Sequence, residues 1–181
     1  MELNGSKTQR NLRAAFTGES MARNKYLFFA DKARKEGLDE VANMFESLAL
    51  NEATHARLLY EKGIGLGNSV ENLQTAIKGE YSEWSDMYPS FAKTAREEGF
   101  EDIAKMFESI SRIERDHEYR FLQMLMKLTK KGETPKEKKT VTVEGYRCVF
   151  CGAVFENRQD VCDVCEAIGS FEPTTYEKEI D

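Results

Sequence analysis

The feature that most constrains this chain is an internal repeat of a helical hairpin. The segment ARKEGLDEVANMFESLALNEATH, residues 33–55, matches AREEGFEDIAKMFESISRIERDH, residues 95–117, at an offset of 62. Apolar residues recur in both copies with the three-and-four spacing of amphipathic helices. The repeat therefore predicts two related helical hairpins, which together supply the four helices of a bundle.

Four helical segments are predicted before residue 131. They span residues 7–36, 38–62, 69–98 and 100–131, and a glycine follows or lies close to the end of each. We expect Ser69 to cap the third helix. In the fourth helix, a row of apolar residues that includes two polar ones is spaced alternately four and three positions apart along the chain. This spacing is typical of the seam of a left-handed bundle.

The two halves of the repeat differ by one inserted residue. Glu19 matches Glu80 at an offset of 61, whereas Tyr26 matches Tyr88 at an offset of 62. One extra residue therefore lies between Glu80 and Tyr88, within the third helix. A single residue inserted into a continuous helix predicts a π-bulge, a feature that often occurs at functional sites.

Each half of the repeat also carries a glutamate three residues before a histidine. The pairs are Glu52–His55 and Glu114–His117, and the chain has only these two histidines. Residues three apart share a helix face, so each pair offers an oxygen and a nitrogen to one point. Because this face is apolar, an unpaired carboxylate on it is costly, and a metal ion would neutralise it.

Three more glutamates fall on the apolar stripes of the other two helices, namely Glu19, Glu80 and Glu83. Taken singly, each such glutamate or histidine is equally well explained as a core or surface-reaching side chain. Together the seven match the ligand pattern of ferritin-like dinuclear proteins. Mixed oxygen and nitrogen ligands favour iron or manganese. Two such ions can transfer two electrons together, as reduction of an O–O bond requires.

Four cysteines form a second candidate site. Cys148-x2-Cys151 and Cys162-x2-Cys165 make two knuckles separated by ten residues. This local, paired spacing favours a tetrahedral sulfur site over disulfide bonds. A structural zinc and a redox-active iron are both compatible with it.

Periodicity and charge divide the chain into domains. We expect a bundle over residues 1–131, a linker over residues 132–140 and a cysteine module over residues 141–181. The module holds nine acidic and three basic residues, which accounts for the net charge of −6. No basic surface predicts nucleic-acid binding, and an acidic module favours a basic protein partner. No secretion signal or membrane-spanning run is visible, so a cytoplasmic protein is expected.

These motifs together resemble the rubrerythrin family. AFTGES, NEATH, KGEYSEW and IERDH are similar to its dinuclear-iron motifs, and CVFCG with CDVC is similar to its rubredoxin-like domain. The resemblance implies a mainly α fold, a ferritin-like four-helix bundle followed by a small rubredoxin-like β module with cysteine knuckles. It implies two non-haem irons in the bundle and one iron bound by the four cysteines.

The resemblance also implies roles for individual ligands. Glu52 and Glu114 would bridge the two irons. Glu80 and His117 would bind one iron only.

The second iron would be bound differently in its two oxidation states. It would take Glu19, with Glu83 and His55 exchanging as ligands on oxidation and reduction. Tyr26 and Tyr88 would donate hydrogen bonds to ligand carboxylates. The resemblance thus implies a centre whose ligands move during the reaction.

The activity implied is reduction of hydrogen peroxide to water, protecting against oxidative stress. Electrons would pass one at a time through the four-cysteine iron, from rubredoxin or an NAD(P)H-dependent reductase, in a homodimer. A ferroxidase or other iron-handling role, and a redox relay or sensor, are the alternatives. The cysteine module disfavours iron storage, which needs no electron donor. Assembly of the bundle within one chain, or by helix exchange between chains, stays open.

The second knuckle departs from the family pattern Cys-Pro-x-Cys-Gly. Asp163 follows Cys162, and Glu166 follows Cys165. The glycine is lost and negative charge is added beside the sulfurs. Both changes predict a reduction potential lower than that of the usual site.

Overall fold

The structure is a computed structural model that describes residues 2–129 and 140–179, so all but the last residue of the predicted linker lies outside the described residues. The helices are α1 (Lys7–Lys35), α2 (Asp39–Gly63), α3 (Ser69–Ser82), α4 (Tyr88–Glu97) and α5 (Glu101–Thr129). A π-helical segment, Glu83–Met87, joins α3 directly to α4. The four predicted helical segments are confirmed, the third as one continuous α–π–α run.

The π-helical segment lies where the repeat predicts an inserted residue, between Glu80 and Tyr88. Side chains of α5 hold it in place. The Ser111 hydroxyl donates to the carbonyl oxygen of Trp84 at 3.1 Å. The Trp84 indole N–H donates to Glu118 at 2.6 Å. A carbonyl within the widened turn thus has a partner on the neighbouring helix, which stabilises the bulge.

The expectation that Ser69 caps α3 is wrong, because Asn68 is the cap. The Asn68 side-chain oxygen accepts hydrogen bonds from the N–H groups of Val70 and Glu71, at 3.0 and 3.1 Å. The Glu71 carboxylate accepts from the Asn68 N–H at 2.8 Å. This reciprocal capping box satisfies backbone donors that a serine one residue later would leave open.

The chain forms two compact units, Met1–Gly67 and Asn68–Asp181. In the first, α1 and α2 pack together, and their closest approach buries Ala30, Ala33 and Ala42. In the second, α3 and α4 pack on α5. Larger apolar side chains of the predicted seam stay partly exposed, because two packed helices enclose only alanine-sized side chains completely.

The second unit also contains a three-stranded antiparallel sheet. Its strands are β1 (Thr140–Cys148), β2 (Val154–Phe155) and β3 (Phe171–Glu179), in the order β2-β1-β3. Cys148, at the end of β1, and Cys162, outside the strands, are both fully buried. The predicted fold class, mainly α followed by a small β module with cysteine knuckles, is confirmed. Within the described ranges, no helix combines the length and apolarity needed to cross a bilayer.

Candidate metal centres

Glu19 on α1 and Glu52 and His55 on α2 form a cluster in the first unit. One ligand atom from each lies within 4.8 Å of the others. His55 Nδ1 is 2.9 Å from Glu52 Oε2. A hydrogen bond with Glu52 raises the pKa of Glu19, and a hydrogen bond with His55 lowers the pKa of Glu52. Carboxylates held this close repel each other when both are ionised, and a bound cation would relieve that repulsion.

Glu80 on α3 and Glu114 and His117 on α5 form the matching cluster in the second unit. Their ligand atoms also lie within 4.8 Å of one another. His117 Nδ1 is 2.6 Å from Glu114 Oε2 and 3.7 Å from Glu80 Oε2. Burial, followed by the hydrogen bond with Glu114 and its charge, raises the pKa of Glu80 to about 7. Two of the predicted carboxylates and one histidine are therefore brought together in each unit.

Glu83 and Tyr88 lie close enough to the second cluster to interact with its charges, whereas Tyr26 contacts aromatic rings. Glu83 is the first residue of the π-helical segment, and burial, then the charge of Glu114, raises its pKa. Burial, then the charge of Glu83, raises the pKa of Tyr88, so its hydroxyl keeps its proton. The Tyr26 ring packs against Phe45 with centroids 5.9 Å apart. The ligand and hydrogen-bonding roles of these three residues stay predictions.

The four cysteine sulfurs converge on one point. Cys148 Sγ is 3.7 Å from Cys165 Sγ, and Cys151 Sγ is 3.6 Å from Cys162 Sγ. A tetrahedron with metal–sulfur bonds of about 2.3 Å has edges of roughly 3.8 Å. Burial opposes ionisation of Cys148, but N–H groups of Cys151 and Phe150 lower its pKa to about 7. Burial raises the pKa of Cys165. These thiols fit a tetrahedral metal that would deprotonate them.

The two knuckles have the same backbone geometry. The Gly152 N–H donates to the Cys148 carbonyl at 2.9 Å, and the Glu166 N–H donates to the Cys162 carbonyl at 2.8 Å. Both residues adopt left-handed backbone conformations, with φ of +79° and +60°. Glycine accepts this conformation without strain, whereas glutamate does not. The second knuckle therefore has glutamate, Glu166, at a position whose left-handed backbone conformation favours glycine.

The cysteine module contacts the helical ligands directly, which the sequence did not predict. A Cβ atom placed on Gly152 would lie 2.9 Å from His117 Nε2 and 3.6 Å from Ile113. Ile113 is buried with Cys148 and Cys162 in one apolar cluster. The imidazole therefore faces carboxylates with Nδ1 and the first cysteine knuckle with Nε2. No periodicity in the sequence signals a contact between elements so far apart in the chain.

Each unit thus holds a Glu/His cluster that could bind a metal ion, and the second unit also holds a four-cysteine metal site, which is the pattern of a carboxylate metalloprotein with a sulfur-bound metal module. A family model described as rubrerythrin matches residues 10–125. The chain belongs to the rubrerythrin family, whose members are oxidative-stress-related non-haem diiron proteins with a rubredoxin-like iron site. Its Glu/His clusters and its four cysteines fit these irons.

Two rubrerythrins of known sequence agree with the family model. Rubrerythrin-1 of Clostridium acetobutylicum is 37% identical over 90% of this chain and 91% of its own length. Rubrerythrin of Nitratidesulfovibrio vulgaris is 36% identical over 90% of this chain and 91% of its own. The solved structure of nigerythrin in its mixed-valence state is 27% identical, covers 93% of this chain and 87% of that one, and has a TM-score of 0.40.

Removal of metal should make stability fall as pH rises. The pKa of Glu80 is about 7 in the folded protein and near 4.5 in the unfolded chain. The folded state therefore holds a proton that the unfolded chain releases across this window, and its stability decreases. Denaturant titrations of chelator-treated protein should show a loss on the order of 1–2 kcal/mol between pH 5 and 7.5. Glu80→Gln should remove this loss; an unchanged pH dependence would contradict the account.

Restoring glycine in the second knuckle should stabilise the module and raise its potential. Glu166→Gly relieves a left-handed glutamate, a gain of about 1 kcal/mol. It also removes a negative charge near the sulfurs, as Asp163→Pro does. Thermal unfolding of the iron-loaded protein and redox titration of the four-cysteine iron measure the two effects. Gly152→Ala is the opposite control and should destabilise. The absence of an upward potential shift in the Asp163→Pro/Glu166→Gly protein would refute the electrostatic prediction.

Proposed function

We propose that this protein is a peroxidase that reduces hydrogen peroxide to water with electrons delivered through its four-cysteine iron. The observation that carries the proposal is the close approach of the first cysteine knuckle to His117, with Gly152 against Nε2. Iron storage has no use for an electron-transfer module packed against a dinuclear ligand. An enzyme that is oxidised at every turnover must be reduced again, and this contact offers a short path.

The proposed dinuclear ligands are the seven inferred from the sequence, Glu19, Glu52, His55, Glu80, Glu83, Glu114 and His117. Glu52 and Glu114 would each contribute to holding both ions, as the family resemblance implies. The carboxylate clusters described above support this assignment, since each has a proton or a charge that a metal would replace. His117 must bind through Nδ1, the atom nearest Glu114, and therefore keeps its proton on Nε2.

When bound, the two irons supply one electron each for the reaction of hydrogen peroxide and two protons to two water molecules. Glu83 and His55 exchange as ligands in the proposal. Burial, then the charge of Glu114, raises the pKa of Glu83, which would favour proton uptake by this carboxylate when it does not bind metal. The Tyr88 hydroxyl, which keeps its proton at neutral pH, is able to donate a hydrogen bond to a ligand carboxylate.

The proposed donors are a rubredoxin or an NAD(P)H-dependent reductase, each passing one electron at a time to the four-cysteine iron. We propose that the protein works in the cytoplasm as a homodimer. Module and helical ligands lie in the same compact unit, so delivery of electrons to His117 is possible within one chain.

Steady-state turnover tests the proposal. Iron-loaded protein is supplied with NADH, an NADH-dependent rubredoxin reductase and rubredoxin, and peroxide is added. We expect one NADH oxidised per peroxide consumed, with a rate proportional to protein. Slow NADH oxidation with peroxide, together with rapid consumption of added ferrous iron and dioxygen, would favour a ferroxidase. Stable iron binding without turnover would favour a sensor.

A further inference from the structure

Arg147 is the one charged residue that is buried in the described part of the chain, with 8% of its surface exposed. Its Nη1 donates to Asp116 Oδ2 at 2.7 Å and to the Gly152 carbonyl at 3.2 Å. Asp116 directly precedes His117 on α5. Arg147 directly precedes Cys148 on β1. The ion pair therefore joins the residue before a proposed dinuclear ligand to the residue before a cysteine ligand.

These contacts connect the cysteine module to α5 at two adjacent points. Arg147 joins Asp116 on the helix to the carbonyl of Gly152 in the knuckle, and Gly152 lies against the imidazole of His117. Arginine suits this position because its planar guanidinium has several donors at fixed angles, so it can bond two acceptors at once. The partly exposed carboxylate of Asp116 opposite it fixes the register, since sliding of the module would leave the buried guanidinium unpaired.

Apolar contact alone does not define this junction. Ile113 is the residue of α5 that is buried against the cysteine cluster, and it offers no directional bond. The Arg147–Asp116 ion pair supplies a directional bond. Gly152 permits the close approach of the knuckle, because a Cβ atom at this position would crowd the imidazole of His117. Asp116 and His117, which are neighbours on α5, thus contact Arg147 and Gly152 of the module, respectively.

We infer that the Arg147–Asp116 pair is a latch that docks the cysteine module on His117 and so sets the rate of electron delivery. Arg147 is a positioning residue, since it binds neither metal. One electron leaves the reduced four-cysteine iron for an oxidised dinuclear iron at each passage, and the donor protein replaces it. The effect of the latch on electron delivery rests on the proposed function. The docking itself does not depend on it.

Docking is tested first without any reaction, in zinc-substituted protein. Backbone amide relaxation by NMR reports how fast the module and the helices tumble. In the wild-type protein the two should tumble together. In Arg147→Gln and in Asp116→Asn the module should tumble faster than the helices. Arg158→Gln is the matched control, because it removes an exposed arginine of the same module. Common tumbling in both latch variants would overturn the inference.

Electron delivery is tested next, in iron-loaded protein reduced anaerobically and mixed with one equivalent of peroxide. Oxidation of the dinuclear site should keep its wild-type rate in both latch variants. Electron transfer from the four-cysteine iron should slow roughly tenfold or more, because loss of either partner removes the ion pair that joins Arg147 to α5 and so disfavours docking. The ferric spectrum of the four-cysteine iron should not change, which excludes an unfolded module.

The two latch variants also form a double-mutant cycle. If the residues act as one pair, Arg147→Gln/Asp116→Asn should slow transfer no more than the slower single variant. Additive slowing, or wild-type transfer in either single variant, would overturn the latch. Failure of the wild-type protein to react with peroxide would instead contradict the proposed function, and the tumbling result would stand independently.

Discussion

Replacing Glu114 by alanine is expected to prevent iron binding at the dinuclear centre and to abolish peroxide reduction, while the four-cysteine iron remains. Glu114 lies 2.6 Å from His117 Nδ1 and interacts with Glu80. As a proposed bridge it would contribute to both irons at once. Turnover should therefore fall by more than the roughly 10- to 100-fold caused by loss of a group that only orients a ligand. Iron analysis and the turnover assay measure the two effects.

The same variant should be more stable than the parent when metal is absent. Glu114 raises the pKa of Glu80 through a hydrogen bond and through its charge, so its removal relieves crowding between carboxylates. Loss of iron together with higher stability of the metal-free protein separates ligand loss from unfolding. Glu97→Ala is the control, since this glutamate is exposed on α4 and faces Lys93 at 3.8 Å. Full iron content in Glu114→Ala would contradict the assignment.

Replacing Cys162 by serine should stop donor-driven turnover without stopping the first reaction with peroxide. Cys162 is fully buried, and its sulfur lies 3.6 Å from that of Cys151. A serine oxygen is a poor substitute for a thiolate ligand, so the four-cysteine iron and its visible spectrum should be lost. Because electrons from the donor then cannot reach the dinuclear site through the four-cysteine iron, turnover should fall by more than about 100-fold.

A single-turnover experiment completes this prediction. Chemically reduced Cys162→Ser protein should still be oxidised by peroxide at the dinuclear site, at close to the wild-type rate. Val161→Ser tests the effect of an added hydroxyl in the adjacent, partly exposed position, and should retain iron and turnover. Unimpaired NADH-driven turnover in Cys162→Ser would show that electrons reach the dinuclear site by another route.

Local features of the fold were predictable because local rules determine them. Four amphipathic segments gave the helices, and one residue inserted between Glu80 and Tyr88 gave the position of the π-helical segment. The Glu-x-x-His spacing placed Glu52 with His55 and Glu114 with His117, since residues three apart share a helix face. The cysteine spacing likewise predicted four converging sulfurs.

Features that depend on contacts between distant elements were not predictable. The cap of α3 was assigned one residue late, because both Asn68 and Ser69 are good capping residues and only geometry selects one. Arg147 and Asp116 are 31 positions apart, and neither belongs to a recognisable spacing. The seam residues were expected to be buried, but burial depends on how many helices surround a side chain, which periodicity along one helix does not reveal.

The central claim is that the dinuclear centre reacts with peroxide in preference to dioxygen. The most direct measurement is stopped-flow mixing of anaerobically reduced, iron-loaded protein with hydrogen peroxide and, separately, with dioxygen. The account predicts rapid oxidation by peroxide and slow oxidation by dioxygen, followed in the peroxide reaction by oxidation of the four-cysteine iron. Oxidation by dioxygen at the same or a higher rate, with consumption of added ferrous iron, would contradict it and identify a ferroxidase.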